Sequence, residues 1–155
     1  MHVLTQQYSV GRLWTIVDSV TDRLNAAPLS IPQALARIAV AGVFFRSGMS
    51  KIANWDLTVQ LFQDEYRLPI LPPDLAALMG AGLELSIPVF LALGLFTRVA
   101  ALPLLGMTAV IEIFVYPQNW PEHLTWAALL ILLILRGAGP FSLDHVIART
   151  WRSGR

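Results

Sequence analysis

Four apolar stretches separated by short polar segments dominate the pattern of hydrophobic and polar positions along the chain. They cover residues 30–53, 74–96, 99–116 and 124–135. Each of the first three is long enough to cross the roughly 30 Å hydrocarbon core of a bilayer as a helix. The fourth is short unless the residues before it join the same helix. The pattern therefore predicts four membrane-spanning helices.

Three amphipathic segments accompany these stretches. Apolar residues recur at helical spacing in residues 1–29, where the helix is expected to end near Ala27, and in residues 54–73, where prolines end the pattern. Ser142 is the predicted N-cap of a last short helix. Such helices lie in the interface between water and lipid. The predicted fold is all-α: a four-helix transmembrane bundle with an N-terminal amphipathic helix, a short interfacial helix between spans 1 and 2, and a short amphipathic C-terminal helix.

This pattern divides the chain into an N-terminal segment (1–29), a four-span membrane domain (30–147) and a basic tail (148–155). Of the 155 residues, 55% are hydrophobic and only 14% are charged, which is typical of a protein embedded in lipid rather than a soluble domain. The net charge of +1 argues against a nucleic-acid partner. Because the chain has no cysteine, it cannot itself form an iron–sulfur cluster or a thiolate metal site.

The distribution of Lys and Arg predicts the orientation. With four spans, both termini lie on one side of the membrane. That side carries Arg12, Arg23, Arg98, Arg136, Arg149, Arg152 and Arg155. The other side carries only Lys51 and Arg67. By the positive-inside rule, both termini are predicted to be cytoplasmic. Arg37, near the start of the first span, is expected to extend to the headgroups.

Other ionisable residues lie deeper in the predicted spans: Arg46, Glu84 and Glu112, with Lys51 towards the end of the first span. An ionised group near the bilayer centre costs about 2.5–3.5 kcal/mol, so it usually has a partner or a function. We therefore expect an intramembrane cluster in which Arg46 pairs with Glu84 or Glu112. The second carboxyl group would then be protonated or paired with Lys51. A protonated Glu could relay protons or bond a quinone oxygen, and a purely structural ion pair is the alternative.

Four further residues are expected at the membrane interface: Arg98, Trp120, His123 and Asp144. His123 is the only histidine near a span, so the sequence does not support a haem or metal ion held by two histidines. We interpret it as part of an aromatic belt with Trp120 and Trp126. Catalytic residues stay unassigned, and no metal site is predicted.

Several motifs resemble, in order and spacing, those of the DoxX-like family of small bacterial integral membrane proteins. They are residues 44–52 (FFRSGMSKI), 82–84 (GLE), 93–98 (LGLFTR), 120–126 (WPEHLTW) and 139–144 (GPFSLD). The likeness covers roughly residues 33–147, although the glycine after the proline of the last motif is missing. It implies a four-helix bundle in the bacterial cytoplasmic membrane. Arg46, Lys51, Glu84 and Arg98 match the family pattern, and Asp144 is expected to anchor a helix terminus.

The resemblance also implies a function. Relatives include a subunit of a thiosulfate:quinone oxidoreductase and membrane partners of oxidative-stress enzymes. It therefore implies a membrane subunit or anchor of a redox or stress-response complex, including metal stress, that contacts quinone through the charge cluster. The expected partners are the lipid bilayer and a soluble or membrane oxidoreductase. Two alternatives stay open: a small transporter or proton conduit acting as a homo-oligomer, and a structural scaffold. Whether the chain is itself an enzyme is not decided by the sequence.

Overall fold

The computed structural model describes residues 2–154, which form helices without a strand among them. The helices are α1 (His2–Ala26), α2 (Ser30–Ala53), α3 (Trp55–Leu61), α4 (Pro73–Leu93), α5 (Thr97–Val110), α6 (Trp120–Arg136) and α7 (Leu143–Ser153). A π-helical turn follows α3 (Phe62–Tyr66), another follows α5 (Ile111–Val115), and a 3₁₀ turn precedes α6 (Pro117–Asn119). The all-α prediction is confirmed.

Two to three of these helical segments are long and apolar enough to cross a membrane. They are α4, the segment Thr97–Val115, and the pair Trp14–Ala26 and Ser30–Ala53, which is bent by 60°. The 17-residue helix α6 spans about 26 Å at 1.5 Å per residue, which is slightly less than the hydrocarbon core. Residues 120–123, which precede the predicted fourth span, form the first turn of this helix.

Four helices pack around one apolar core: α2 contacts α4 and α6, and α5 contacts the same two helices. Phe44, Leu91, Leu104 and Leu133 are fully buried there. Gly48 allows α2 to approach α4 closely, since a Cβ atom at this position would lie 2.9 Å from Leu85 Cγ. The outward faces of these helices carry large apolar side chains that suit contact with lipid. Examples are Ile38, Leu78, Val99, Ile113 and Leu135.

A network of buried polar groups closes one end of these four helices. Arg37 is only 3% exposed and donates hydrogen bonds to the carbonyl oxygens of Ala92 (3.0 Å) and Phe141. The expectation that Arg37 extends to the headgroups is therefore wrong, because the carbonyl groups at the end of α4 and before α7 bind it inside the protein. Gln33 Nε2 donates to the carbonyl oxygens of Arg136 and Gly137, each at 3.1 Å, and ties the start of α2 to the end of α6.

The start of α7 completes this closed end. Ser142 caps α7 as predicted, because its hydroxyl oxygen accepts a hydrogen bond from the His145 amide. The Asp144 carboxylate accepts bonds from the amides of Phe96 (2.7 Å) and Thr97 (3.0 Å), where α5 begins. A carboxylate at a helix N-terminus satisfies unpaired amides and interacts favourably with the helix dipole. Asp144 therefore joins the last helix to the start of α5.

Candidate functional site

The other end of the four helices encloses a cavity of about 370 Å³. This volume falls within the range of roughly 300–1,000 Å³ found for small-molecule sites. Its walls are mainly apolar and include Phe44, Phe62, Leu71, Met79, Met107 and Trp126. A mainly apolar cavity with a few convergent polar groups is the usual form of a ligand site, so its ionisable groups are of particular interest.

An ion pair between α2 and α4 forms part of the cavity wall. Lys51 Nζ lies 2.7 Å from Glu84 Oε2 and 2.9 Å from Glu84 Oε1, so the ammonium group contacts both carboxylate oxygens. Ser47 completes the group: its hydroxyl accepts from Lys51 Nζ (2.9 Å) and donates to Glu84 Oε1 (3.2 Å). Glu84 is only 3% exposed. Burial in a low-dielectric environment strengthens such a pair, provided that each charge keeps its partner.

Arg46 does not belong to this cluster, contrary to the expected Arg46–Glu84 or Arg46–Glu112 pair. It lies on the exposed face of α2, and neither glutamate forms an ion pair with it among the described residues. The reason is helical geometry: five residues at about 100° each place Arg46 and Lys51 roughly 140° apart around the axis. Packing of Gly48 against α4 turns Lys51 towards Glu84 and Arg46 away from it.

A second ionisable pair joins the end of the α5 segment to α6. His123 Nδ1 lies 2.6 Å from Glu112 Oε2, within hydrogen-bonding distance. His123 is 4% exposed, lines the cavity and packs against Trp126, with ring centroids 5.1 Å apart. His123 lies beside Trp126, as the interpretation of an aromatic belt expected, but α6 turns its ring into the cavity. Trp120, in the same turn of α6, is exposed.

The segment after α3 covers one side of the cavity. Phe62 and Tyr66 from its π-helical turn line the cavity, and the Tyr66 ring packs edge-on against Tyr116 at 5.8 Å. The Tyr116 hydroxyl donates a 2.6 Å hydrogen bond to Glu65 Oε1. Burial, followed by this bond, raises the pKa of Tyr116, so the phenol stays protonated and able to donate. Both π-helical turns border the cavity, and such turns are frequent at functional sites.

Two carboxyl groups at the site, those of Glu84 and Glu112, therefore have a partner that can carry a positive charge. Glu65 instead accepts a hydrogen bond from the Tyr116 hydroxyl, and Glu122 also lines the cavity. Within the described part of the chain, no group of three or more His, Cys, Asp or Glu side chains could hold a metal ion. Arg98 and Asp144 lie at the closed end of the helices and take no part in the cavity. The site suits a largely apolar, uncharged molecule with oxygen atoms that can accept or donate hydrogen bonds.

The helices and their exposed apolar faces define a multi-pass membrane protein. The chain belongs to the DoxX family, whose sequence profile matches residues 33–117, more than half of its length. The matched region includes Lys51, Glu84 and Glu112 and ends before His123. An uncharacterized protein of Haemophilus influenzae is 29% identical over an alignment of 129 residues. The match covers 76% of this chain and 83% of that protein. No solved structure matches the sequence.

Proposed function

We propose that the cavity binds the ring of a membrane quinone, and that the chain is a membrane subunit or anchor of a redox or stress-response complex. One observation supports this proposal above the others: two ionisable pairs, Lys51–Glu84 and Glu112–His123, adjoin one apolar cavity and come from four helices. A quinone presents an apolar ring with two carbonyl oxygens, which become hydroxyl groups on reduction. The cavity offers apolar walls and hydrogen-bonding groups that match both forms.

In each pair, one residue contacts the quinone and the other positions it. Lys51 and His123 donate hydrogen bonds to the quinone oxygens, and Glu84 and Glu112 hold these donors in position through the contacts of 2.6–2.9 Å. Reduction of the quinone to the quinol takes up two electrons and two protons. The electrons come from an oxidoreductase partner, and residues of this chain transfer the protons to the quinone oxygens.

The proposed architecture is a bundle of four spans in a bacterial cytoplasmic membrane. Its support is the mutual packing of α2, α4, α5 and α6 and their exposed apolar faces. The amphipathic helices α1 and α7 lie at the interface, and both termini are cytoplasmic, since most Arg residues outside the spans lie on that side. In this arrangement, the cavity lies in the half of the membrane farther from the cytoplasm.

The test is photolabelling of the protein in nanodiscs with an azido-quinone, with unlabelled quinone as competitor. We expect competed labelling, reduced by about tenfold in Lys51→Met and in His123→Phe, because each loses a hydrogen bond to or from a charged group, worth roughly 1.5–3 kcal/mol. Arg46→Met is the matched control: it removes a positive charge from the same helix outside the cavity. Helicity confirms that each variant is folded.

Two results would refute quinone binding at this site. In the first, unlabelled quinone does not compete with the labelling; in the second, the labelling decreases equally in Lys51→Met and Arg46→Met. Gentle extraction from the host cell tests the partner: an oxidoreductase should co-purify with the chain in a constant ratio. The proton conduit would instead be favoured if the protein carries a proton flux in liposomes that Glu84→Gln abolishes, and if no quinone labelling is found.

A further inference from the structure

A second, more polar cavity lies between the end of α2 and the short helix α3. Its volume is about 270 Å³. Most of its lining residues carry polar side chains: Ser47, Ser50, Lys51, Asn54, Thr58 and Tyr66. A cavity of this size has room for several water molecules, and its hydroxyl, amide and ammonium groups offer them hydrogen-bond partners beside the apolar side chains of Leu57, Leu61 and Phe62.

The two cavities adjoin each other at Lys51. Ser47, Lys51, Phe62 and Tyr66 line both of them. The rings of Phe62 and Tyr66, which pack edge-on with centroids 4.8 Å apart, lie at this boundary with the Lys51 ammonium group. An ionisable group at the boundary between an apolar and a polar cavity can exchange protons with both.

The anchoring of α3 maintains the polar cavity. The Thr58 hydroxyl lies 2.9 Å from the carbonyl oxygen of Lys51 and 3.0 Å from that of Asn54, so it bonds α3 to the last turn of α2. The Asn54 side chain accepts a hydrogen bond from the Leu57 amide and caps α3. These bonds hold α3 at the end of α2, with the polar cavity between the two helices.

We propose that this polar cavity is a water-filled vestibule that connects the Lys51–Glu84 pair with the aqueous phase on the side of the membrane away from the chain termini. The proposal rests on the proposed function and adds the proton route to it. When electrons from the oxidoreductase partner reduce the quinone in the apolar cavity, the Lys51 ammonium group gives a proton to the quinone oxygen. The neutral amine then takes a proton from vestibule water, and the hydroxide that is left takes a proton from the aqueous phase. Ser47, bonded to both members of the pair, keeps the amine close to Glu84 throughout.

The absence of cysteine makes a direct test available, because any single introduced thiol is the only one in the chain. The probe is a membrane-impermeant, cationic methanethiosulfonate, added to either side of oriented proteoliposomes. We expect Ser50→Cys and Lys51→Cys to react about tenfold faster than Arg46→Cys. The thiolate attacks the sulfur of the reagent and displaces sulfinate, and the thiolate forms readily only where water is present. This reaction should occur only from the side away from the termini.

A blocking variant tests the route itself. Ser50→Trp, introduced into Lys51→Cys, places a large ring in the vestibule and should slow the labelling by about tenfold. Gly42→Trp is the matched control, because it adds the same ring to α2 at a position that lines neither of the two cavities. A Cβ atom there would meet nothing within 4 Å. If Lys51→Cys does not fold, the smaller change Ser47→Cys replaces it, because Ser47 lines both cavities.

Any of three results would overturn this inference. The vestibule thiols react no faster than the thiol of Arg46→Cys, they react from the side of the termini, or Ser50→Trp does not slow the labelling. The outcome of the quinone experiment is independent of the outcome of the thiol-labelling experiment. Competed quinone labelling without access for the reagent would leave the proposed function standing and remove the vestibule. Access for the reagent without quinone labelling would leave a water-filled entrance to a site with a different ligand.

Discussion

Loss of Lys51 should destabilise the protein strongly at neutral pH and only weakly at pH 5. In Lys51→Met, Glu84 stays buried but loses the ammonium group 2.7 Å from its carboxylate. The carboxylate must then stay ionised without a partner charge or take up a proton. From an ordinary glutamate pKa of about 4.3, protonation at pH 7 costs about 3.7 kcal/mol at 1.36 kcal/mol per pH unit. This cost is of the same size as the roughly 3–5 kcal/mol found for broken buried pairs.

The pH dependence follows from the same arithmetic. Protonation costs about 2.7 kcal/mol less at pH 5 than at pH 7, since the interval is two pH units. In the variant, the folded state binds this proton more readily than the unfolded state does, so its stability falls as the pH rises. The difference in stability between wild type and Lys51→Met should therefore fall from about 3.7 kcal/mol at pH 7 to about 1 kcal/mol at pH 5.

The assay is unfolding by SDS in mixed micelles, followed by circular dichroism at pH 5 and pH 7. Arg46→Met, on the exposed face of the same helix, should change stability by no more than about 0.5 kcal/mol at either pH. Glu84→Gln should be less harmful than Lys51→Met, because the Lys51 side chain is more exposed than that of Glu84 (14% against 4%), so water can solvate the ammonium group. The double variant should recover much of the loss. Equal losses in Lys51→Met and Arg46→Met, or a loss independent of pH, would refute this reasoning.

Two further variants and one control test how the helices pack, with the same unfolding assay. Gly48→Ala should destabilise the protein by about 1–3 kcal/mol, because the added Cβ atom would lie 2.9 Å from a leucine of α4. Gly42→Ala, with nothing within 4 Å, should be neutral or stabilising; equal effects would contradict the close approach of α2 and α4. Asp144→Ala removes both side-chain acceptors of the amides at the start of α5 and should cost about 1–2 kcal/mol. A loss no larger than that of Gly42→Ala would show that this cap contributes little.

The positions of the helices are largely local properties of the sequence. The predicted first span, residues 30–53, coincides with α2, and the N-cap Ser142 was recognisable because capping depends only on nearby residues. The fourth helix was placed too late, because Pro121 and Glu122 resemble a loop in sequence. Proline is well tolerated in the first turn of a helix, and an acidic residue there is favourable.

The partners of the charged residues were much less predictable. The four-residue spacing of Ser47 and Lys51 places them on one face of α2, but the spacing alone does not show whether this face or that of Arg46 turns inward. The Glu112–His123 pair spans the break between α5 and α6, where helical periodicity no longer relates the two positions. Tyr116 and Glu65 are 51 residues apart, and nothing in the local pattern connects them.

The sequence by itself therefore determined the membrane character of the chain, its helices and the presence of charges inside the spans. These features depend on hydrophobicity and on interactions between near neighbours in the chain. Only the tertiary structure decided that Lys51 rather than Arg46 meets Glu84, that His123 turns inward, and that two cavities meet at Lys51. The rotation of each helix about its own axis depends on packing against the other helices, such as Gly48 against α4, and that information lies in distant parts of the chain.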